Sequence, residues 1–497
     1  MSHVLALDEG TSSCRSMIIN QDVEIVAVDQ QEFEQIFPKP GWVEHNAHTI
    51  WEAQLETARA ALKKAGLTGS DINSIGITNQ RETVVLWDRK TGDPIANAIV
   101  WQDRRTARKI DELKADGHEP MVRSKTGLVL DPYFSATKVR WLLDHVPGAQ
   151  DAANDGSLAM GTIESWLIYK LTGHQVHVTD VSNACRTLLM NIHTGAWDDE
   201  LLELFGVPRS LLPEIVPSSG ICGETDPSLF GASIPISGIG GDQQSALFGQ
   251  LCTKPGECKN TFGTGCFLLT PTGNKAVESD NGLLTTIAWQ MEGHDIQYAL
   301  EGSIFMGGAS IQWLRDGLGI IKEAPEVNNM AEQVDDNGGV WLVPAFAGLG
   351  APHWDHSARG TILGLTRGST AAHICRATLE GIAHQVTDVA EAMLDDANCP
   401  LGVLRVDGGA SQSNLLMQIQ ADLLGKPVER PVHVETTGLG AAFLAGLATG
   451  LWKDIASIKA HYRIDRIFEP KMDDATRQSQ RAQWMRAVDR AKDWATD

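Results

Sequence analysis

The sequence predicts an α/β protein of two large domains or three smaller ones, and three observations support this. The chain has 497 residues, which is longer than one hydrophobic core usually serves. Short apolar runs typical of strands alternate with amphipathic segments typical of helices, such as 49–65 and 371–396. A strand followed by a turn of Gly with Thr or Ser occurs at 4–19, at 259–269 and at 404–411. This recurrence indicates a duplicated domain whose copies each carry a phosphate-facing loop.

The composition argues against several classes of partner. Lys and Arg number 41 against 63 Asp and Glu, so the formal net charge of −22 disfavours binding to nucleic acid or to anionic lipid. No apolar run approaches the length that spans a bilayer. The eight cysteines form no Cys-x-x-Cys pair and no zinc-ligand spacing, which is typical of thiols in a reducing compartment. We therefore expect a cytoplasmic protein without membrane insertion.

The first strand and turn have the residues of a phosphate site. A strand over 4–7 ends at Asp8, and the turn that follows contains Thr11, Ser12 and Ser13. Such a turn can direct backbone N–H groups and hydroxyls at one anion, and Arg15 adds a cation. Asp8 is placed to hold the Mg²⁺ that accompanies a polyphosphate. The alternative is an ordinary tight turn closed by an Asp side chain.

Two predicted strands, 74–78 and 98–101, end in residues suited to a polyol. Arg81 and Glu82 supply a donor fork beside an acceptor pair, which matches vicinal hydroxyls. The Trp101 indole could cover the C–H face of the same ligand. Tyr133, on a turn fixed by proline, could face this pocket too. A surface salt bridge and a core tryptophan are the competing interpretation.

An acidic residue stands near the middle of the chain, where a strand over 234–239 meets a helix. We expect Gly240 and Gly241 to form a tight turn, so that Asp242 points into the crevice at the strand's carboxyl end. The competing interpretation makes Asp242 a helix N-cap. Residues 181–184 are predicted to form a loop that lines the cleft, and 197–205 a helix.

Several segments together resemble the FGGY family of carbohydrate kinases, and within it the bacterial members that act on glycerol. The matching segments are 5–13, 76–83, 97–102, 240–244, 262–267 and 406–410. The resemblance implies two ribonuclease-H-like domains of the actin and hexokinase type, with mixed sheets flanked by helices and the active site in the interdomain cleft. The domains would cover 1–250 and 251–497. No Walker loop occurs, so ATP would be bound without one.

The resemblance also implies the reaction. ATP with Mg²⁺ would phosphorylate glycerol to sn-glycerol 3-phosphate, the entry step of glycerol catabolism, in a homodimer or homotetramer. Asp242 would be the general base, Arg15 and Asp8 would assist it, and Asp8 and Asp242 would hold the metal. The polyol pocket would consist of Arg81, Glu82, Trp101, Tyr133, Asp242, Gln243 and Phe267. The nucleotide would contact Thr11, Ser12, Ser13, Arg15, Thr264, Gly265, Gly308, Gln312, Gly409 and Ser413.

The sequence departs from the family pattern in two places. At Ser413, where the family usually has the first of two asparagines, this chain has a serine followed by Asn414. The loop 226–232 lacks the Arg of members that bind a sugar bisphosphate and the His of members that are phosphorylated, so we expect neither form of control. Another sugar or polyol kinase of the same fold, or an actin-like ATPase, remains an alternative function.

Overall fold

The computed structural model describes residues 2–495 and contains two large mixed β-sheets, one from each half of the chain. In the first half the elements are β1 His3–Glu9, β2 Ser13–Asn20, β3 Ile25–Glu32, β4 Glu44–His45, α1 Ala47–Ala65, β5 Ile72–Asn79, β6 Val85–Asp88, β7 Ala98–Ile99, α2 Ala107–Ala115, α3 Glu119–Thr126, α4 Ser135–His145, α5 Ala149–Asn154, β8 Leu158–Gly161, α6 Ile163–Leu171, β9 Val178–Asp180, α7 Val181–Ala184, β10 Met190–Asn191, β11 Ala196–Trp197, α8 Asp199–Phe205, β12 Glu214–Val216, β13 Ser219–Glu224, α9 Pro227–Phe230, β14 Pro235–Gly241 and α10 Asp242–Gly249.

The second half of the chain also contains both strands and helices. Its elements are β15 Glu257–Phe262, β16 Cys266–Gly273, β17 Leu284–Trp289, β18 Gln297–Ile304, α11 Gly308–Asp316, α12 Glu326–Ala331, β19 Trp341–Val343, β20 Thr361–Leu363, α13 Ala371–Ala397, β21 Val403–Asp407, α14 Asn414–Leu424, β22 Val428–Pro431, α15 Thr436–Ala448, α16 Ile455–Lys459, β23 Ile464–Phe468 and α17 Asp474–Ala491. Short 3₁₀ turns cover Gly69–Asp71, Arg209–Leu211 and Gly409–Gln412.

The first sheet has the strand order β13-β14-β5-β1-β2-β3. Strand β1 pairs antiparallel with β2 and parallel with β5, and β5 pairs parallel with β14. The carboxyl ends of β1, β5 and β14 therefore meet at one edge of the sheet, which is where open α/β sheets bind ligands.

The second sheet repeats this arrangement, with the order β17-β18-β16-β15-β21-β22-β23. The β15–β16 hairpin is antiparallel, and β21 pairs parallel with β15, just as β5 pairs with β1. The recurrent Gly and Thr or Ser turns of the sequence thus follow from a repeated topology. Each of the two sheets has its own buried cluster of aliphatic and aromatic side chains.

One helix of the second half packs on the first sheet. Helix α15 contacts β5, β14 and β1, and it packs closely along α10. A side chain at Gly76 would collide with the backbone of Ala441, and one at Gly440 with the carbonyl of Ser245. The glycines therefore allow backbone-to-backbone contact between the halves. The Gly- and Ala-rich run 437–446 of the sequence is typical of such close helix packing.

Four local predictions are wrong in detail. Residues 181–184 form helix α7, because the Asp180 carboxylate accepts from the N–H groups of residues 182 and 183. Helix α8 begins only at 199, because Asp198 caps it, and Trp197 pairs in β11 instead. The strand predicted over 98–101 ends at 99. Gly240 and Gly241 are not in a turn but are the last residues of β14.

Within the described residues, no helix is long and apolar enough to cross a membrane.

Candidate active site

The three parallel strand ends bring three charged residues together. Asp8 is the penultimate residue of β1, Arg81 follows β5, and Asp242 follows β14. The Nε of Arg81 lies 3.3 Å from Oδ1 of Asp242. Burial raises the pKa of Asp8 to about 6; Arg15 opposes this shift and the Asp242 carboxylate adds to it. The carboxylates of Asp8 and Asp242 are therefore close enough to interact electrostatically.

The glycines before Asp242 are required by close packing. A side chain at Gly241 would meet the aliphatic part of Arg81 at 2.7 Å, and one at Gly240 would meet the Ser245 hydroxyl at 2.6 Å. Gly241 is the N-cap of α10, so Asp242 is the first helical residue instead of the cap. Its Oδ1 accepts from the N–H of residue 243 at 2.8 Å, and its side chain is 33% exposed. The carboxylate can therefore reach a ligand.

Arg81 and Glu82 are buried, which rules out the surface salt bridge. Both side chains are 1% exposed, and the Nε of Arg81 lies 3.7 Å from Oε1 of Glu82. Glu82 has a φ of 64°, in the left-handed region that few non-glycine residues adopt. Backbone strain of this kind concentrates at functional sites. Burial raises the pKa of Glu82, against the effect of Arg81 and Arg186.

The predicted aromatic residues lie beside this pair. The indole N–H of Trp101 donates to the Thr11 hydroxyl at 2.9 Å, and the Trp101 and Tyr133 rings meet edge to face at 5.6 Å. Nη2 of Arg81 donates to the Tyr133 hydroxyl at 3.4 Å. Trp101 therefore connects the predicted polyol pocket to the first phosphate turn.

The first phosphate turn is closed by the N–H of Gly10, which donates to the carbonyl of Ser13 at 2.9 Å. Ser12 is exposed, and the Ser13 hydroxyl accepts from Gln30 at 2.9 Å. Arg15 lies 4.0 Å from Asp8.

Arg15 also forms an ion pair with Glu435 of the second half. The turn and its cation thus lie where the two halves of the chain meet.

The second phosphate turn packs against the start of α11. The carbonyl of Thr264 accepts from the N–H groups of residues 307 and 309, and the N–H of Gly308 donates to the carbonyl of residue 263. A side chain at Gly265 would collide with the backbone of Ile304. The Thr264 side chain is exposed. The turn is therefore held by its backbone, and its Thr264 side chain is left accessible.

Gln243 is placed by a contact between the halves, whereas Phe267 is held within the sheet of the second half. Phe267 lies opposite Ser303 in the β16–β18 ladder, one pair along the same face from Glu301, the residue that binds Arg81. The Gln243 side-chain oxygen accepts from the buried Lys259 ammonium at 2.5 Å. Burial lowers the pKa of Lys259, and the nearby carboxylates of the site oppose that shift.

The residues predicted on the adenosine side lie on α11, in the turn after β21 and just before α14. Gln312 is exposed on α11, and a side chain at Gly409 would meet nothing within 4 Å. The Ser413 hydroxyl caps α14 and donates to Asn328 at 2.5 Å, so it is already engaged. Across residues 2–495, no hydrogen bond joins the side chain of Gln312 or Ser413 to Asp242.

Two residues of the site were not predicted from the sequence. Glu301 takes a two-pronged contact from Arg81, at 2.6 and 3.0 Å, and Arg186 donates to Glu82 at 2.6 Å. Both are charged residues within otherwise apolar or small-residue runs, 298–304 and 181–190. A charge embedded in such a run is the feature by which the sequence could have indicated them.

The described residues contain no group of three or more His, Cys, Asp or Glu side chains placed to hold a metal ion. Asp8 and Asp242 are two carboxylates at the same edge of the first sheet, and the charge of Asp242 raises the pKa of Asp8. Mg²⁺ in phosphoryl-transfer sites is bound by one or two carboxylates, water and substrate phosphates, so this donor set fits it.

The chain is similar to known proteins over nearly its whole length. The model of the FGGY family of carbohydrate kinases matches residues 3–249 with its N-terminal domain and residues 258–449 with its C-terminal domain. The glycerol kinase of Herminiimonas arsenicoxydans is 60% identical over 99% of both chains, and that of Trichlorobacter lovleyi 59% over 100% of both.

Solved structures give the same family. The structure of Plasmodium falciparum glycerol kinase with ADP is 38% identical, covers 99% of this chain and 98% of its own, and superposes with a TM-score of 0.92. A xylulose kinase from Lactobacillus acidophilus, 21% identical, shares the fold over 99% of this chain and 97% of its own, with a TM-score of 0.87. These matches confirm the predicted fold class and family: the chain belongs to the FGGY family of carbohydrate kinases.

Proposed function

We propose that this chain transfers the γ-phosphoryl group of ATP to a terminal hydroxyl of glycerol, giving sn-glycerol 3-phosphate and ADP. The observation that carries the proposal is the cluster in which the Arg81 guanidinium lies 3.3 Å from the Asp242 carboxylate and within reach of Tyr133. Relatives of this chain that are named glycerol kinase are 57–60% identical to it over essentially its whole length, which supports glycerol as the acceptor.

Asp242 acts as the general base. A glycerol hydroxyl is a poor nucleophile at neutral pH, so the Asp242 carboxylate takes its proton as the bond between oxygen and the γ-phosphorus forms. The bond between the γ-phosphorus and the bridging oxygen breaks, and ADP leaves with that oxygen. Asp242 then gives the proton to solvent, to which a third of its side chain is open.

The acceptor is oriented by the buried pair beside the base. Arg81 donates to hydroxyl oxygens and Glu82 accepts from hydroxyl hydrogens, which fixes a polyol in one direction. Trp101, Tyr133 and Phe267 cover its C–H groups. Gln243 completes the pocket from the first turn of α10.

The phosphates are held by the two Gly and Thr turns. Thr11, Ser12 and Ser13 bind from the first half and Thr264 from the second, while Arg15 offsets charge on the transferring group. Asp8 and Asp242 would hold Mg²⁺. That ion would neutralise negative charge that develops on the phosphate oxygens. Gly265, Gly308, Gln312 and Gly409 border the adenosine, with Ser413 next to them.

The two halves, 1–250 and 251–497, act as lobes that close on the substrates and exclude water. The two separate sheets support this division. Contacts such as Arg15 with Glu435 already cross between the lobes.

The enzyme acts in the cytoplasm as a homodimer or homotetramer. All eight cysteines are free and six of them are buried, as expected where thiols stay reduced. The oligomer follows from the family resemblance, and light scattering after gel filtration measures it.

The direct test is ADP release by the purified chain with ATP and Mg²⁺, alone and with glycerol, ribitol, xylulose or gluconate. We expect stimulation by glycerol and little by the others. Stimulation by another polyol alone would favour a different kinase of the same fold. Hydrolysis that no polyol stimulates would favour an ATPase.

A further inference from the structure

The pair that orients the acceptor belongs to a closed ring of four buried charges. Arg81 contacts Glu301 through Nη1 and Nη2, and Glu301 accepts from Arg186 at 2.9 Å. Arg186 donates to Glu82 at 2.6 Å, and Glu82 lies 3.7 Å from Arg81. All four side chains are at most 1% exposed. Positive and negative groups alternate around the ring, so its net charge is zero.

Glu301 is the member that comes from the other half of the chain. It lies on β18 in the second sheet, opposite residue 269 of β16. Burial alone would raise the pKa of Glu301, but the Arg186 and Arg81 guanidinium groups outweigh burial and lower it to about 2. Glu301 is therefore ionised at any pH at which the enzyme works.

The contacts of Arg81 account for each of its N–H groups. Glu301 accepts one N–H from Nη1 and one from Nη2. The second N–H of Nη1 is donated to the Gln244 side-chain oxygen at 3.1 Å. Nε faces Asp242 at 3.3 Å. The second N–H of Nη2 has the longest contact, 3.4 Å to Tyr133, so a substrate hydroxyl can replace Tyr133 with little loss.

We infer that Glu301 is a positioning residue for the acceptor: by holding the two terminal nitrogens of Arg81, it directs one N–H toward the polyol and Nε toward the general base. Arg186 does the same for Glu82 from the other side of the ring. This inference rests on the proposed function, and it assigns to the second lobe a role in recognising a substrate that the first lobe binds.

The test compares two substitutions of Glu301. Glu301→Gln keeps the shape of the side chain and one acceptor oxygen but removes the negative charge. Residue 301 can then no longer accept hydrogen bonds from both terminal nitrogens of Arg81. We expect the KM for glycerol to rise about 10- to 100-fold, the range for losing a hydrogen bond between charged groups. We expect the KM for ATP to stay within about twofold, because the ring does not contact the phosphate turns.

Glu301→Asp keeps the charge but shortens the reach, and it gives a second reading if Glu301→Gln does not fold. We expect its thermal midpoint to stay close to that of the wild type while its KM for glycerol rises by about 5-fold or more. If Glu301 had only a structural role, a variant with wild-type stability would also have the wild-type KM for glycerol.

The matched control is Asp388→Asn. Asp388 is another buried carboxylate of the second half, paired with Arg481 and hydrogen-bonded to Trp484, and it makes no contact with the ring. This variant should lower the thermal midpoint and leave the KM for glycerol unchanged.

A KM for glycerol within twofold of the wild type in both Glu301 variants would overturn the inference. So would an equal rise in both Michaelis constants, or a rise of the same size in Asp388→Asn. If the wild-type chain does not release ADP in response to glycerol, the proposed function itself is contradicted, and the inference fails with it. This outcome is distinct from the others because it is measured on the wild type and does not depend on any variant.

Discussion

At the scale of single residues, the proposed chemistry depends on Asp242. Its carboxylate is held between the Arg81 guanidinium and the N–H of residue 243, yet a third of the side chain is open. The helix it begins is capped by Gly241, so the carboxylate is not needed to end the strand or to start the helix. An acid that is not required as the cap of its helix, and that is partly open at the end of a strand, is available for proton transfer.

Replacing that carboxylate by an amide removes the base without removing bulk. We expect Asp242→Asn to lower kcat by about 10²- to 10⁴-fold, the usual contribution of general base catalysis. The KM for glycerol should change little, because the amide oxygen still faces Arg81. Steady-state ADP release measures both.

Asp199→Asn is the matched control for that substitution, since Asp199 is also the first residue of a helix and lies in α8. Its turnover should equal that of the wild type. Full turnover in Asp242→Asn would exclude the carboxylate as the base.

The sequence was sufficient to predict that Arg81 and Glu82 follow a buried strand at the sheet edge, and their binding of a polyol stays a prediction. The sequence could not predict that Glu301 lies against Arg81, because the two residues are 220 positions apart in the chain. Only the packing of one sheet against the other brings them together. Local patterns identify what a residue can bind, and the tertiary fold decides which charge lies opposite.

At the scale of elements, the contact between α10 and α15 depends on glycine. A side chain at Gly440 would collide with the carbonyl of Ser245, and one at Gly249 with the carbonyl of Thr436. The two helices thus approach backbone to backbone immediately behind Asp242. The composition of α15 predicts close packing, but its uniformly apolar face carries no pattern that says which sheet it covers.

Adding one methyl group at this contact should separate the helices. We expect Gly440→Ala to lower the free energy of unfolding by about 1–3 kcal/mol, as overpacking of a close interface does. It should also raise the KM for glycerol, because α10 carries Asp242 and Gln243. Urea unfolding and steady-state kinetics measure the two effects.

Gly368→Ala serves as the control, since a side chain there would meet only the Thr366 hydroxyl, at 3.7 Å. We expect its free energy of unfolding to stay within about 0.5 kcal/mol of the wild type. Equal stability of Gly440→Ala and Gly368→Ala would contradict the proposed packing role.

At the scale of the whole molecule, charged side chains of the second half contact the first half at several points, two of them buried and one partly exposed. Glu301 binds Arg81, Lys259 binds Gln243, and Glu435 pairs with Arg15. The duplicated topology was predictable from the recurring turns. These cross-lobe contacts were not, because they depend on how two similar units are oriented against each other.

The pH dependence of global stability provides a test of a second buried region. His384 of α13 stacks on Trp484 of α17, with ring centroids 5.0 Å apart. Burial lowers the pKa of His384 from 6.5 to about 3; Arg481 contributes in the same direction and Asp388 opposes it. As the pH falls below 6.5, His384 binds a proton in the unfolded chain but stays neutral in the folded chain. The free energy of unfolding therefore decreases until the pH reaches about 3.

We therefore expect His384→Phe, which keeps the stacking, to be less sensitive to acid than the wild type. The difference in free energy of unfolding between the two should shift by about 2 kcal/mol in favour of the variant between pH 7.5 and pH 5. The comparison must be a difference, because buried carboxyls act in the opposite sense; burial raises the pKa of Glu164 to about 7. Urea unfolding at the two pH values gives the result, and a constant difference would contradict the buried neutral state of His384.

Helix α15 has a consequence for how this protein is made. The sheet formed by residues 3–241 has one face covered by a segment that begins only at Thr436. During synthesis that face of the first sheet stays exposed until almost 450 residues have left the ribosome, because α15 ends at Ala448. A fragment ending near residue 250 should therefore precipitate or recruit chaperones, and the complete lobe should form only when translation is nearly finished.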